Sequence, residues 1–337
     1  MRPYSTMPGS PASTRRSASP DTALGVGDVI QNPALAALLV TCCAALVAGT
    51  SLLAKALGTD ALGHPMNAVQ ISFGRFLFAF IALGMVAALV RPRLHRPHLP
   101  LHLGRTGFGF LGITLMFGAA ARIPLSDATA ISFLNPVFGM LLAIPFLGEK
   151  IGRWRWIGTG IALVGAAVLL RPGAESFEPA ALLALGAALA MGAELIFIKR
   201  LTRRERPFQI LLTNNALGVC IAGLAVLPVW IMPSPAQWLA MAAIGGLMAL
   251  AQTCFVHATA RADASFVAPF FYATLVFAAF YDMVIFGVLP DAVSLLGALV
   301  IVTGALLLAY HEGRRSRMPP LTASRSAPAT HRSPPPR

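Results

Sequence analysis

Ten apolar runs, separated by short polar or charged connections, dominate this sequence. A helix that crosses a bilayer needs about 20 mostly apolar residues. The runs at or near that length are 34–54, 68–90, 105–121, 128–148, 154–170, 179–199, 208–231, 237–258, 264–288 and 291–310. The pattern predicts an all-α integral membrane protein with ten transmembrane helices, because lipid rather than a soluble core would cover these apolar faces.

Composition and charge refine this prediction. Hydrophobic residues make up 56% of the chain and charged residues 12%, about half of the roughly 25% typical of soluble domains. The net charge of +13 raises the question of nucleic-acid binding. The basic residues lie in short connections between apolar runs, however, so membrane topology explains them better. We expect a lipid bilayer as partner and no nucleic acid.

The distribution of Lys and Arg predicts the orientation. When the connections are numbered alternately from the N-terminal tail, one set holds 22 of the 26 basic residues and the other holds Lys55, Arg122 and Arg171. Basic residues favour the cytoplasmic side of a membrane. Both termini are therefore predicted to be cytoplasmic.

The second half of the chain repeats the pattern of the first. A shift of 139 positions places Arg122 on Arg261 and Gly158 on Gly297, and it also aligns Gly165 with Gly304. The repeat predicts five-helix halves at 34–172 and 173–311. The ends at 1–33 and 312–337 are rich in Pro, Ser and Arg, so we expect both to be disordered cytoplasmic tails, the second of them basic. Because five is odd, the second half enters the membrane with opposite polarity. Inverted-topology repeats are typical of transporters whose site lies between the halves.

The first half also carries a motif that resembles a known family. Ala128, the segment Asn135 to Phe138, the segment Leu147 to Glu149, and then Trp156 and Gly158 are similar to the EamA type of the drug/metabolite transporter superfamily. The second half departs from the motif, with Val288 after Gly287 where the first half has Glu149. The resemblance covers residues 34–310. It implies secondary transport of small metabolites across a bacterial inner membrane, with helices of both halves lining a central cavity.

Three ionisable residues within the apolar runs are the leading candidates for substrate binding, because charge inside a span costs at least about 2.5–3.5 kcal/mol. Asp282 is interpreted as a cavity carboxylate for a cation or a proton, or as the buried partner of an arginine. Glu194 either reaches the cavity or pairs with Lys199 or Arg200. Arg75 either clamps an anionic group or forms a salt bridge with Asp282 or Glu194.

Several uncharged residues complete the candidate site. The Asn135-Pro136 pair interrupts the fourth run, and Ser132 shares its face; this face is either a cavity wall or a packing kink. In the ninth run Phe271 and Tyr272 present an aromatic stripe, which is most often packing. The weaker candidates are Gln252 and Asn214, the latter equivalent to Arg75 in the repeat.

No cofactor or metal site is expected. His95, His98 and His102 have metal-like spacing but lie among prolines and arginines, so a basic loop against lipid headgroups is the preferred interpretation. Glu149 is interpreted as structural.

The sequence therefore predicts a secondary transporter, not an enzyme, that moves a small polar or zwitterionic, amino-acid-like metabolite by alternating access. Protons are the candidate coupling ion, at Asp282 or Glu194. Two other classes stay open: an integral membrane enzyme acting on lipids, and a non-transporting sensor or scaffold.

Overall fold

The computed structural model describes residues 33–92, 94–147, 153–170, 178–202, 204–259, 261 and 270–316. The predicted tails lie largely outside these residues, and so does Glu149. The described parts contain helices and turns and no strand. The helices are α1 (Pro33–Gly58), α2 (Ala68–Val90), α3 (Leu99–Ala120), α4 (Leu125–Ser132), α5 (Asn135–Leu147), α6 (Arg153–Leu170), α7 (Ala181–Leu201), α8 (Pro207–Val226), α9 (Pro235–Thr259), α10 (Ala273–Tyr281) and α11 (Ala292–Ser316).

The helices account for all ten predicted runs. Seven described segments are long and apolar enough to span a membrane, and three shorter apolar helices cover 156–170, 273–286 and 292–307. The fold is therefore that of an all-helical, multi-pass membrane protein. Several boundaries differ from the prediction, and α1 extends four residues past 54, to Gly58. Helix α3 begins six residues earlier than 105, with Pro100 in its first turn, and α11 extends to Ser316, into the predicted tail.

Local sequence explains where the helices begin, break and end. Asn67 caps α2, because its side-chain Oδ1 accepts a hydrogen bond from Val69 N at 2.9 Å. The fourth run is interrupted between α4 and α5, immediately before Asn135-Pro136, as predicted. In the ninth run α10 passes into a π-helical turn at Asp282–Phe286, which ends at Gly287 with φ 67°. A left-handed conformation of this kind is easiest for glycine.

The two halves pack with a pseudo-two-fold pattern. Helix α3 lies against α7, and their repeat counterparts α9 and α1 also lie together. Helices α2 and α8 pack on one another, as do α6 and α11, which are likewise counterparts. Two further contacts, α5 with α7 and α10 with α1, are also related to each other by the repeat. The repeat seen in the sequence thus recurs in the packing of the helices.

Glycines create the seam between α6 and α11. A Cβ on Gly165 would lie 2.6 Å from Ile301 N, and one on Gly304 would lie 2.6 Å from Gly158 O. Helix backbones approach this closely only where side chains are absent. The seam ties the last spans of the two halves together.

Equivalent glutamines join the halves at both ends of the bundle. In the first turn of α2, Gln70 donates to Ile231 O at 2.5 Å and accepts from Ile231 N at 3.2 Å. In the first turn of α8, Gln209 Oε1 accepts from His95 N at 2.8 Å. Gln70 and Gln209 are 139 positions apart. We call the end that carries His95 and Gln209 the basic face, and the end that carries Gln70 and Ile231 the opposite face.

Candidate functional site

A group of charged side chains lies where α2 and α3 of the first half meet α7 and α8 of the second. Arg105 Nε is 3.5 Å from Glu194 Oε1, and Arg105 Nη1 donates to the carbonyl of Ile210 at 3.1 Å. Gly109, one turn further along α3, makes room for the carboxylate, since a Cβ there would lie 3.1 Å from Glu194 Oε1. We call Arg75, Arg105, Glu194 and Asn214 the central charged cluster.

Arg75 is the least satisfied member of this cluster. It is 7% exposed, and its Nε is buried without a hydrogen-bond partner among the described residues. Its guanidinium lies 4.2 Å from the ring of Phe76, and Glu194 and Arg105 are its charged neighbours. No ion pair joins Arg75 to a carboxylate in the part of the chain that the structure describes, so neither salt bridge considered for it is formed there. The cluster thus contains two cations, Arg75 and Arg105, and one anion, Glu194.

Asn214 adds a polar group from the second half. Its Oδ1 accepts a hydrogen bond from Thr106 Oγ1 at 3.1 Å, and both residues are buried. The repeat therefore places polar side chains at equivalent points of α2 and α8, as the sequence suggested.

Asp282 lies apart from this cluster, at the opposite face, and is held from two sides. Its Oδ1 is 2.5 Å from Lys55 Nζ, and its Oδ2 accepts a hydrogen bond from Leu125 N at 2.7 Å. Leu125 is the first residue of α4, where the helix dipole favours a negative charge. Lys55 also lies 4.7 Å from the ring of Phe286. The buried partner of Asp282 is therefore a lysine rather than an arginine.

The aromatic candidates gather around Phe133, in the break between α4 and α5. The ring centroid of Phe133 is 4.8 Å from that of Tyr272 and 6.1 Å from that of Phe271. Phe255 of α9 lies 6.0 Å from Phe271. These four residues, which we call the aromatic group, come from both halves and pack on one another.

The polar residues beside the break are engaged locally. Ser132 Oγ donates to Thr129 O at 2.7 Å within α4. Asn135 is half-buried, and its carbonyl would lie 2.9 Å from a Cβ on Gly192 of α7. The break thus brings the backbone of α5 close to α7, which supports the packing interpretation of the Asn135-Pro136 kink.

Gln252 on α9 is half-buried, and its Oε1 has no hydrogen-bond partner among the described residues. A buried, unsatisfied amide oxygen costs about 1–3 kcal/mol. Gln252 therefore has an unpaired acceptor, on the helix that also supplies Phe255.

The histidine-rich connection is organised by Glu205. One carboxylate oxygen accepts from His98 N at 2.8 Å, and the other lies 2.9 Å from His102 Nε2 and 2.8 Å from Gln209 Nε2. Burial raises the pKa of Glu205, but these hydrogen bonds outweigh it and lower the pKa to about 2. Within the described residues, no set of three His, Cys, Asp or Glu side chains is arranged to hold a metal ion.

Two charged residues of the site escaped the sequence analysis. The charge pattern places Arg105 in a cytoplasmic connection, although Pro100 marks a helix start that puts it more than one turn inside α3. Lys55 had been counted as a loop residue, although it is 7% exposed and belongs to α1. The Pro100 signal could have revealed the first. Nothing local to Lys55 points to a partner 227 positions away.

Comparison with known proteins gives a consistent family. The model of the EamA-like transporter family matches residues 34–171 and 178–310. The riboflavin transporter of Rhizobium johnstonii is 33% identical over 257 residues, which cover 74% of this chain and 83% of that protein. The riboflavin transporter of Vibrio cholerae is 32% identical over 68% of this chain and 77% of that protein. The S-adenosylmethionine uptake transporter of Rickettsia bellii is 28% identical, covering 74% and 87%.

A solved crystal structure of another protein agrees in fold. It superposes with a TM-score of 0.56 at 22% identity, over 84% of this chain and 99% of that chain. The family match covers both halves, and two relatives exceed 30% identity over more than two thirds of the chain. The chain belongs to the EamA-like transporter family.

Proposed function

We propose that this protein is a secondary transporter that moves a small metabolite, polar or zwitterionic and carrying a ring, across the bacterial inner membrane by alternating access. The single observation that carries the proposal is the central charged cluster. Two buried arginines and a partly exposed glutamate lie between helices of opposite halves, and Arg75 Nε has no partner among the described residues. Charge at such depth marks substrate or ion pathways in membrane proteins.

The aromatic group supports the ring in the proposed substrate. Phe133, Phe255, Phe271 and Tyr272 come from both halves, as expected for a site at the repeat interface. Relatives are named for riboflavin and for S-adenosylmethionine, and both molecules combine a fused aromatic ring with polar groups. The original expectation of an amino-acid-like solute is thereby widened to include a ring system.

Glu194 fits a role in proton coupling better than Asp282 does. Asp282 is 1% exposed and fixed by Lys55 and by the first turn of α4. The side chain of Glu194 is 20% exposed, and within the described parts of the chain its one ion pair is with Arg105, at 3.5 Å. A carboxylate with a looser pairing exchanges a proton at a smaller cost in lost contacts.

The test begins with a thermal-shift screen of the purified protein against riboflavin, S-adenosylmethionine and zwitterionic amino acids. A ligand that binds only the native state raises the melting temperature. Hits are then tested for flux into proteoliposomes at several pH values, for wild type, Arg75→Gln and Glu194→Gln. Arg122→Gln is the matched control, because Arg122 is an arginine at the opposite face whose Nη1 donates to Gly118 O at 2.7 Å.

We expect Arg75→Gln to lower flux at least tenfold with folding intact, and Glu194→Gln to remove the pH dependence. Arg122→Gln should transport like wild type. Unchanged transport in Arg75→Gln would remove the cluster from the substrate path. A protein that binds ligand but moves none across the bilayer would be a sensor rather than a transporter.

A further inference from the structure

A polar cavity lies at the basic face, next to the first turn of α8, where Arg105 of the central charged cluster donates to Ile210 O. It has a volume of about 580 Å³ and is formed by the connection between α2 and α3 together with the connection between α7 and α8. The charged and titratable residues that line it are His95, Arg96, His98, Arg204, Glu205 and Arg206. We call this space the basic cavity.

The arginines of the basic cavity are exposed and carry uncompensated charge. Arg96, Arg204 and Arg206 have no ion-pair partner in the described part of the chain. Glu205, the one described carboxylate in the lining, turns its oxygens toward His98, His102 and Gln209 instead. The cavity therefore presents three guanidinium groups to a ligand, and guanidinium binds phosphate oxygens in a bidentate manner.

Apolar side chains adjoin the same cavity in the sequence. Leu94 is 51% exposed, and Leu99 and Leu103 at the start of α3 are 52% and 51% exposed. At the end of α2, Leu89 is 85% exposed. Exposed leucines beside exposed arginines place this part of the protein at the boundary between acyl chains and headgroups. A soluble phosphate compound would use the arginines but not the leucines.

We propose that the basic cavity binds the phosphate headgroup of an anionic phospholipid, with the acyl chains lying against the exposed leucines of α2 and α3. Basic pockets between transmembrane helices are known to bind such headgroups, and each nearby Lys or Arg strengthens attraction to anionic lipid. Because Glu205 and Gln209 join the two connections at this site, the bound lipid would bridge the first half and the second half of the transporter.

The test titrates the purified protein with phosphatidylglycerol in detergent and measures the bound lipid by native mass spectrometry. Phosphatidylcholine and inorganic phosphate are titrated in parallel. The variant combines Arg96→Gln, Arg204→Gln and Arg206→Gln. The charge-matched control combines Arg325→Gln, Arg332→Gln and Arg337→Gln, which removes three arginines from the C-terminal tail.

We expect phosphatidylglycerol to bind wild type and the tail variant equally, and the cavity variant on the order of 100-fold more weakly, at about fivefold per charge. Arg96→Gln alone should bind phosphatidylglycerol about fivefold more weakly than wild type. This single variant is used if the triple variant does not fold. Equal binding of phosphatidylglycerol by the cavity variant and wild type would overturn the proposal. Inorganic phosphate that binds as tightly as phosphatidylglycerol would also overturn it, in favour of a site for soluble anions.

Discussion

At the scale of single residues, the pair of Lys55 and Asp282 has the clearest energetic consequence. Both side chains are buried, and each is the other's ion-pair partner. Removing one charge leaves the other buried and unpaired, which destabilises the protein by about 3–5 kcal/mol. We therefore expect Asp282→Asn and Lys55→Met each to lower the thermal unfolding temperature of the protein in detergent by many degrees.

The double variant provides the control for this prediction. Lys55→Met combined with Asp282→Asn removes both charges and keeps an amide oxygen for Leu125 N. It should be more stable than either single variant, because no charge is left unpaired. If Asp282→Asn instead melted like wild type and abolished a substrate-induced shift, Asp282 would belong to the substrate site.

Glu205 gives a pH-dependent prediction at the same scale. The pKa of its carboxyl is lowered to about 2 in the folded protein, from roughly 4.3 in an unfolded chain. A depressed pKa adds stability above the unfolded value, and this contribution is lost as the pH falls through the folded value. Glu205→Gln should therefore be less stable than wild type at pH 7, by about 1–2 kcal/mol.

The difference in stability between wild type and Glu205→Gln should narrow as the pH falls from about 4.5 toward 2. Thermal melting of both proteins across that range measures it. Glu178→Gln, a change in a carboxylate at the opposite face, serves as the comparison for general effects of acid. If the difference in stability stayed constant with pH, the ionised carboxylate of Glu205 would not hold together the α2–α3 and α7–α8 connections.

At the scale of helices, the seam between α6 and α11 predicts a sharp difference between two glycines of the same helix. A methyl group on Gly165 would lie 2.6 Å from Ile301 N and 2.9 Å from Gly297 O, and backbone atoms cannot rotate away. Gly165→Ala should destabilise the protein by about 1–3 kcal/mol through overpacking. A Cβ on Gly160 meets nothing within 4 Å, so Gly160→Ala should leave the melting temperature unchanged or higher. Equal effects of the two changes would contradict the close approach of the helices.

The helices also show what the sequence can and cannot predict. Apolar length and the spacing of Gly158, Gly165 and Gly304 are local properties, and from them the spans and the seam could be predicted. The sequence does not predict the position of Arg105, because the first turns of α3 contain Pro100, His102 and Gly104, which resemble a loop. The partner of Asp282 was missed because pairing across 227 positions depends on how α1 packs against the second half.

At the scale of the whole molecule, the equivalent glutamines give a test of the proposed rocking of the two halves. Gln70 binds Ile231 at the opposite face, and Gln209 binds His95 at the basic face, so each joins one half to the other. If the halves rock to open the two faces in turn, neither connection can persist through a transport cycle. A covalent link at either face should then stop transport, since the cycle needs both faces to open.

Cross-linking in a background without cysteine measures this. The four free cysteines, Cys42, Cys43, Cys220 and Cys254, are first replaced by Ala. The pair Gln70→Cys with Ile231→Cys then reports on the opposite face, and Gln209→Cys with His95→Cys reports on the basic face, each treated with a short bifunctional thiol reagent. Flux into proteoliposomes should fall to background in both linked pairs and recover where the linker is reducible. Single-cysteine variants treated with the same reagent should keep their flux.

Transport that continues with one face cross-linked would mean that the substrate enters and leaves without rocking of the halves. The pseudo-two-fold packing would then describe the ancestry of the fold rather than its motion.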